Sequence, residues 1–339
     1  MPRAPIGGTD PDLRTAEVYL AFAREARGRS PAYESLASSV AGDQGLLRFL
    51  RSLPSRKRQP SLLFAAATYL LGEPASIGSL RSLVRADPAG LARVMLARST
   101  QTNEPARCAT ILPALAALPE PLALVEVGAS AGLTLLFDRY SYDYDGRRLT
   151  GSDPDAPVLR CASLGGTPGP VPARIPSVAW RAGLDLNPLD VTSEDDVRWL
   201  SCLVWPGEGN RQQRLAAAIA SARRDPPPVY RGDLLADLPA LAAQAPPEAT
   251  LVVFHSAVLA YVAAKDRPRF AATVRDLGAV WLANEAPGVV LDVPAPDGLS
   301  GAFVLVRDGR TPLAFTDGHG TWLQWLGDGG GQSDGAPRT

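Results

Sequence analysis

Apolar residues recur at spacings of three and four over the first third of the chain. The segments AEVYLAFAREA, LLRFLRSL and LARVMLARS all show this period, which is typical of amphipathic helices. Gly72, Pro74 and Pro88 separate such segments, as helix-terminating residues do. No convincing alternation of apolar and polar residues occurs there. The pattern therefore predicts an α-helical N-terminal domain over residues 1–118.

After Pro119 the pattern changes to short apolar runs between helical segments. Five runs predict successive strands: LALVEVG, SVAWRAGLDLNP, PPVYRGD, ATLVVFHS and AVWLANE. AGLTLLFDRY, TSEDDVRWLSCLVW and NRQQRLAAAIASARR predict helices between them, with Thr192 or Ser193 as the N-cap of the second. AFVLVRDGRTPLAFTDG predicts a closing hairpin. This alternation indicates an α/β fold in which helices cover both faces of a largely parallel, Rossmann-like sheet.

Two stretches depart from this rhythm. Residues 141–176 are rich in proline and glycine, so we expect an insertion there, with a small hairpin over the edge of the sheet. Residues 327–339 have almost no apolar content and are expected to be a disordered tail. The Rossmann-like domain is therefore predicted over residues 119–326.

The stretch VEVGASAGLTLL, residues 125–136, fits two kinds of site. Its GASAG core matches G-x-S-x-G, the nucleophile elbow of serine hydrolases, and His255 or His319 follows Ser130 as such an enzyme requires. Two features oppose a hydrolase. The preceding region is helical where that fold has strands and an oxyanion loop, and the charge of Glu126 would disfavour an oxyanion beside it.

A cofactor loop would use the same residues differently. A strand ending in Glu126 and a tight loop let a ligand approach the backbone, and the N-terminus of a following helix would face the methionine carboxylate of S-adenosylmethionine (SAM). Asp185 and Asp233 end the next two predicted strands, where we expect them to bind the ribose hydroxyls and the adenine amine. The predicted cofactor-binding residues are Glu126, Gly128, Ala129, Ser130, Gly132, Asp185, Asp233 and His255.

Two alternatives remain open for this loop. Asp185 follows Gly128 at a much longer spacing than the roughly 20 residues of a compact dinucleotide unit, so Asp143 or Asp145 is an alternative ribose ligand. NAD is a weaker alternative to SAM, because a pyrophosphate normally requires glycine at the position that Ser130 occupies.

Several strings together resemble an uncharacterised bacterial family, domain of unknown function 2332. They are TQTNEPARCATILPAL, EVGASAGL, GLDLNPLDV, LVWP, GD and VVFHSAVLAYV, and the likeness covers nearly the whole chain apart from its termini. The resemblance implies a SAM-dependent methyltransferase-like fold. EVGASAGL is also similar to the first motif of class I methyltransferases, with Ser130 where glycine is commoner.

Candidate residues for the chemistry lie at the ends of the fourth and fifth predicted strands. His255 is the expected general base and Glu285 the second catalytic candidate, although a histidine held by local hydrogen bonds is an equal alternative. His319 is expected on the surface. A helix cap by Thr102 or Asn103 is the alternative reading of the STQTNEPAR segment. The predicted substrate-binding residues are Gln101, Asn103, Glu104, Arg107 and Asn284.

Composition narrows the function classes. Thirty-four basic and 35 acidic residues give a net charge of −1, which argues against nucleic acid or an anionic membrane as partner. The three cysteines are too widely spaced to suggest a metal site. The longest apolar run, LLFAAATYLL, is far shorter than the roughly 20 residues that span a bilayer. We expect a cytoplasmic SAM-dependent methyltransferase acting on a small molecule, with a serine hydrolase or a non-catalytic ligand-binding protein as alternatives.

Overall fold

The computed structural model describes residues 11–165, 170–299 and 301–326. Their contacts form two compact units, which we call the helical unit and the sheet unit. The described part of the helical unit lies within Met1–Thr102 and Ser193–Gln213, and that of the sheet unit within Asn103–Thr192 and Arg214–Thr339. The chain thus passes between units three times, instead of once at the predicted boundary of residue 118. The predicted tail, 327–339, lies outside the described residues.

Eleven α-helices occur in the described residues. They are α1 (Pro11–Ala26), α2 (Pro31–Ala41), α3 (Gln44–Arg51), α4 (Pro60–Leu71), α5 (Ile77–Ala86), α6 (Pro88–Ala97), α7 (Arg107–Leu115), α8 (Glu194–Cys202), α9 (Gly209–Arg224), α10 (Leu238–Ala242) and α11 (Arg267–Asp276). The helical unit contains α1–α6 and α8. None of these described helices is long and apolar enough to cross a membrane.

Local sequence explains where several helices begin. Ser30 and Asp43 accept backbone N–H bonds at the starts of α2 and α3, and Ser76 and Asp87 do so for α5 and α6. The hydroxyl of Ser193 accepts a bond from the backbone N–H of Asp196 at 3.3 Å, so Ser193 is the N-cap predicted for α8. These short polar side chains satisfy amides that the first helical turn leaves free.

Twelve strands occur in the described residues. They are β1 (Leu122–Val127), β2 (Ser141–Tyr144), β3 (Arg147–Leu149), β4 (Val158–Arg160), β5 (Ala162–Ser163), β6 (Val178–Asp185), β7 (Val229–Arg231), β8 (Thr250–Ser256), β9 (Val280–Glu285), β10 (Phe303–Arg307), β11 (Thr311–Thr316) and β12 (Trp322–Trp325). Nine of them form one mostly parallel sheet in the order β5-β12-β11-β10-β9-β8-β1-β6-β7. The five predicted strands and the closing hairpin, β10–β11, are all present.

The alternation of side chains along β1, β6, β8 and β9 divides the residues between two faces of this sheet. One face carries Val125, Val253 and Trp281, which pack in a core cluster against α10 and α11. Glu126 pairs in register with Phe254 on β8 and therefore lies on the other face. On that other face Arg107, at the start of α7, donates to the backbone oxygen of Ser256 at 3.0 Å.

The prediction of a helix at AGLTLLFDRY is wrong. Only a 3₁₀ turn, Leu133–Leu136, follows β1. Its carbonyls bond to side chains instead of to the next helical turn: Tyr140 donates to Leu133 at 2.7 Å, and Arg181 donates to Leu135 at 2.7 Å. The N–H of Leu133 likewise donates to the side-chain oxygen of Asn103 at 2.8 Å. Side-chain partners, two of them outside the segment, therefore replace hydrogen bonds of an α-helix.

The predicted insertion begins as a hairpin, β2–β3, which joins β4 in a separate three-stranded sheet. Asp145 and Gly146 both have positive φ angles, 51° and 91°, as a tight hairpin turn requires. Beyond β4, β5 pairs with β12 at the edge of the large sheet. A small hairpin is therefore present, in a sheet of its own, and residues 166–169 of the insertion lie outside the described residues.

Candidate functional site

Three acidic residues lie at the carboxyl ends of neighbouring strands. Glu126 is the penultimate residue of β1, Asp185 ends β6 and Asp233 follows β7. β6 pairs in parallel with both β1 and β7, so their carboxyl ends meet at one edge. The order of the parallel strands reverses between β1 and β8, and in open α/β sheets ligands bind outside the carboxyl ends at such a point.

Glu126 is only 5% exposed. The hydroxyl of Thr134 donates to its Oε1, whereas Oε2 is buried and has no hydrogen-bond partner among the described residues. Burial raises the pKa of Glu126 to about 8, and the nearby charge of Asp185 adds to the rise. The hydrogen bond from Thr134 and the charge of Arg107 act in the opposite direction. The site therefore contains a carboxyl group that keeps its proton at neutral pH.

Asp185 fixes the loop that follows β1. Its Oδ2 accepts the backbone N–H of Ser130 at 2.8 Å, and its Oδ1 accepts that of Asn187 at 2.8 Å. Asp143 and Asp145, the alternative ribose ligands, lie instead in the hairpin of the three-stranded sheet, where they accept the N–H groups of Gly146 and Ser163. Of these three acids, only Asp185 lies at the carboxyl edge of the large sheet.

Asp233 differs from the other two acids because it is exposed. Its Oδ1 accepts the backbone N–H of Leu235 at 2.7 Å, and its own N–H donates to Asp237 at 2.7 Å. The carboxylate thus stabilises the turn after β7 and keeps one oxygen towards solvent.

The glycine loop is shaped by contacts with protein side chains. Gly128 has φ 71°, and a Cβ there would lie 2.4 Å from Cγ2 of Val258. Gly132 also has φ 71°, and its Cβ would lie 2.8 Å from Pro227 and Val229. We expected these glycines to make room for a ligand. In the structure the space that their missing side chains leave is filled by neighbouring residues of the sheet unit.

Ala129 and Ser130 complete the loop and are both buried. Ala129 packs so closely on β6 that a Cβ at Gly183 would lie 2.6 Å from its side chain. Ser130 has φ 53°, which is uncommon outside glycine and results from the bonds of its backbone to Asp185 and to Leu189. The loop is therefore held by the packing of Ala129 on β6 and by the backbone hydrogen bonds of Ser130.

His255, which we expected to face the substrate, is fully buried in the core. It lies on the α11 face with Phe270 and Trp281, opposite to the face of Glu126. Trp281 donates its indole N–H to Nε2 of His255 at 3.0 Å, and Nδ1 lies 2.7 Å from Oε1 of Glu285. Since indole can only donate, Nε2 accepts this bond, and Nδ1 is the nitrogen that can donate to Glu285.

Glu285, the second catalytic candidate, holds the loop after β8. Its Oε1 accepts the N–H groups of Val258 at 2.7 Å and Leu259 at 2.9 Å, besides the bond from His255. Burial by itself would raise the pKa of Glu285, but these hydrogen bonds and the neighbouring histidine keep it below the ordinary value. Because Val258 also contacts Gly128, Glu285 is a positioning residue for the glycine loop.

The predicted substrate-binding residues are largely held by hydrogen bonds within the sheet unit. Glu104 pairs with Arg214 at 2.7 Å, and Arg107 donates to the backbone oxygens of Ser256 and Gly318. Asn284 lies on the face of Glu126; it donates to Ser256 at 3.2 Å and accepts from Thr316 at 2.7 Å. The alternative of a side-chain cap on α7 is wrong, because the helix begins after Ala106 without one. Gln101 belongs to the helical unit.

Sequence reasoning missed the role of the loop that contains His319. We expected a surface residue, but His319 is half-buried. Arg107 donates to the backbone oxygen of Gly318 at 2.9 Å, and a Cβ at Gly320 would lie 2.1 Å from the backbone oxygen of Ala106. The two glycines around His319 were the available signal for this close packing against α7.

Comparison with known proteins identifies one family. The model of a family described as an uncharacterised protein conserved in bacteria, DUF2332, matches residues 16–325. No curated protein and no solved structure matches the chain.

Proposed function

The chain belongs to the DUF2332 family, and we propose that it binds SAM at the carboxyl edge of β1 and β6 and transfers the methyl group to a small molecule. The observation that carries this proposal is the buried carboxyl of Glu126, whose Oε2 has no partner among the described residues. A buried polar atom without a partner costs free energy, which a ligand bond would recover. A ribose hydroxyl can donate to this oxygen or accept from its proton.

The strand order supports a Rossmann-like, methyltransferase-type sheet. Numbered in their own chain order, the five neighbouring parallel strands β7-β6-β1-β8-β9 read 3-2-1-4-5, which is the order of dinucleotide-binding sheets up to the fifth strand. The antiparallel strands β10 to β12 then extend the sheet as a meander. Glu126 is beside the point where the order reverses, which suits a ligand-binding carboxyl group.

The acids fit the adenosyl part of SAM. The backbone N–H groups of Ser130 and Asn187 hold the carboxylate of Asp185 at this edge, and a carboxylate is a group that accepts ribose hydroxyls. Asp233 keeps one oxygen for the adenine amine. The methionine carboxylate lacks the α-helix N-terminus that we expected to bind it, because a 3₁₀ turn follows the loop. We assign that carboxylate to Arg107, the cation whose charge lowers the pKa of Glu126.

When bound, SAM supplies an electrophilic methyl group on its sulfonium. The chain's contribution is to hold an acceptor close to that group and in line with it, which alone accounts for much of the rate of such a transfer. Both ring nitrogens of His255 are occupied within the core, so the proposal gives His255 no proton transfer. Acceptors that react without a base, such as a thiolate or a carboxylate, suit this site best. Asn284 and Glu104 remain the candidates that orient the acceptor.

Calorimetric titration tests the proposal. SAM and S-adenosylhomocysteine (SAH) are expected to bind the full chain. NAD and ATP are the negative controls and are expected not to bind. Absence of binding by both SAM and SAH would overturn the proposal.

A fluorophosphonate probe provides the test against a serine hydrolase. We expect it to leave Ser130 unlabelled, and the Ser130→Ala variant is the control for the labelling assay. Labelling that depends on Ser130 would favour the hydrolase.

A further inference from the structure

A groove of about 810 Å³ runs beside α11 in the sheet unit, on the face of the sheet opposite to that of Glu126. One wall is a single face of α11, because Arg267, Ala271, Val274 and Arg275 follow the spacing of helical neighbours. The segment Gly288–Val290 provides the other wall, and the turn Asp308–Arg310 closes one end. Its volume lies in the range of small-molecule sites, about 300–1,000 Å³.

The lining combines an apolar surface with an excess of positive charge. The charged side chains are Arg267, Arg275, Arg310 and Asp308, so arginine outnumbers acid by three to one. The carboxylate of Asp308 is already engaged, since it accepts the backbone N–H of Trp281 at 2.9 Å. The main apolar side chains of the lining are Leu259, Ala271, Val274, Trp281, Val289 and Val290.

The three arginines differ in how they are held. Arg267 bridges the walls, because it donates to the backbone oxygens of Val262 at 3.1 Å and Val289 at 3.3 Å. Arg275 and Arg310 are exposed, and in the described parts of the chain no acceptor pairs with either guanidinium group. Two guanidinium groups without an ion-pair partner among the described residues therefore lie at the rim of an apolar groove.

The position of Arg310 is fixed by its turn. Gly309 has φ 65°, and a Cβ there would lie 2.8 Å from Cζ3 of Trp281, so the turn presses on the indole ring. The bond between Asp308 and the backbone of Trp281 anchors the same turn. The backbone that carries Arg310 is therefore held in place, which lowers the entropic cost of bringing this residue to a ligand.

We propose that this groove binds a small amphipathic acid, whose anionic head pairs with Arg275 and Arg310 and whose apolar body lies along α11. Arg267 and Arg275 are eight positions apart, which corresponds to about 12 Å along the helix axis. That length suits a medium-chain aliphatic acid. The proposal does not depend on SAM binding, because none of the groove residues belongs to the carboxyl edge of β1 and β6.

Titration with decanoate below its micellar concentration tests this site, by calorimetry and by the fluorescence of Trp281, which lines the groove. Wild type is expected to bind decanoate, and the double variant Arg275→Gln/Arg310→Gln to bind it at least tenfold more weakly. Arg269→Gln is the matched control, an exposed arginine of the same helix that does not line the groove. No binding by wild type, or equal binding by the double variant, would overturn the proposal.

Two further experiments test whether the ligand must be charged and whether it is a free molecule or a lipid surface. Decanol is expected to bind more weakly than decanoate, because it lacks the charge. Vesicles of phosphatidylglycerol and phosphatidylcholine test a lipid surface instead: sedimentation of the chain with vesicles, without binding of decanoate, would contradict a small-molecule site. SAH affinity is expected to be equal in wild type and in the double variant, so failure of this inference is distinguishable from failure of the proposed function.

Discussion

Trp281 donates its indole N–H to Nε2 of His255 at 3.0 Å, inside the core that α11 covers. This bond leaves His255 only Nδ1 as a donor, and that nitrogen faces Glu285. His255, the general base expected from the sequence, is therefore part of a hydrogen-bonded network. This network of hydrogen bonds ends at the backbone of Val258 and Leu259, next to the glycine loop.

Glu285→Ala is expected to destabilise the chain by about 3 kcal/mol, because two backbone N–H groups and His255 lose their buried acceptor. Glu285→Gln, which keeps an acceptor oxygen, should lie between Ala and wild type. Urea unfolding measures both, with Asp276→Ala, an exposed acid of α11, as the control. A Glu285→Ala variant as stable as that control would show that the network contributes nothing.

Gly128→Ala tests whether protein packing, not a ligand, requires this glycine. The positive φ angle alone costs about 1–2 kcal/mol for alanine, and the overlap with Val258 should add about 1–3 kcal/mol. Gly278→Ala is the matched control, because its φ is 65° and nothing lies within 4 Å of its Cβ position. Adding Val258→Ala should recover part of the extra loss. Equal losses at Gly128 and Gly278 would contradict this account.

Seven of the nine strands in the large sheet follow from local pattern. The all-buried run of β1 and the apolar runs of β6 to β9 are visible without knowledge of their neighbours. The two-residue β5 and the short β12 are not, because pairing at the sheet edge creates them. The face on which His255 lies depends on the register between β8 and β1, which the sequence of one strand does not contain.

The error after β1 has a non-local cause. AGLTLLFDRY has the composition of a helix, but its carbonyls are taken by side chains such as Arg181, far along the chain. The acids were predictable because each lies at or just after the end of a predicted strand. Their different environments, buried for Glu126 and exposed for Asp233, were not, because burial depends on what packs over the strand ends.

Stability should depend on pH through Glu126. Its pKa is about 8 in the folded chain, against 4.5 when unfolded, so the folded state binds one more proton between these values. The stabilisation that this proton gives to the folded chain is complete below about pH 4.5 and is lost as pH rises towards 8. The free energy of unfolding falls by at most about 1.4 kcal/mol per pH unit over this range. Urea unfolding of wild type and Glu126→Gln across this range isolates the effect. The difference between their free energies of unfolding removes the contributions of the other titratable groups, which the two chains share. A difference that is constant with pH would contradict a buried, protonated Glu126.

Asp185→Asn is expected to weaken SAH binding at least tenfold, because the amide presents only one acceptor oxygen where the carboxylate has two. Asp143→Asn is the control, since Asp143 lies in the separate three-stranded sheet. Calorimetry with both variants measures the contrast. Loss of affinity in Asp143→Asn alone would transfer the ribose site to the hairpin.

The most direct measurement is a crystal structure of the chain with SAH. We expect the adenosyl group at the carboxyl edge of β1 and β6, with a hydroxyl within hydrogen-bonding distance of Oε2 of Glu126 and the ribose at Asp185. SAH bound elsewhere in the chain, with Oε2 of Glu126 still without a partner, would contradict the account.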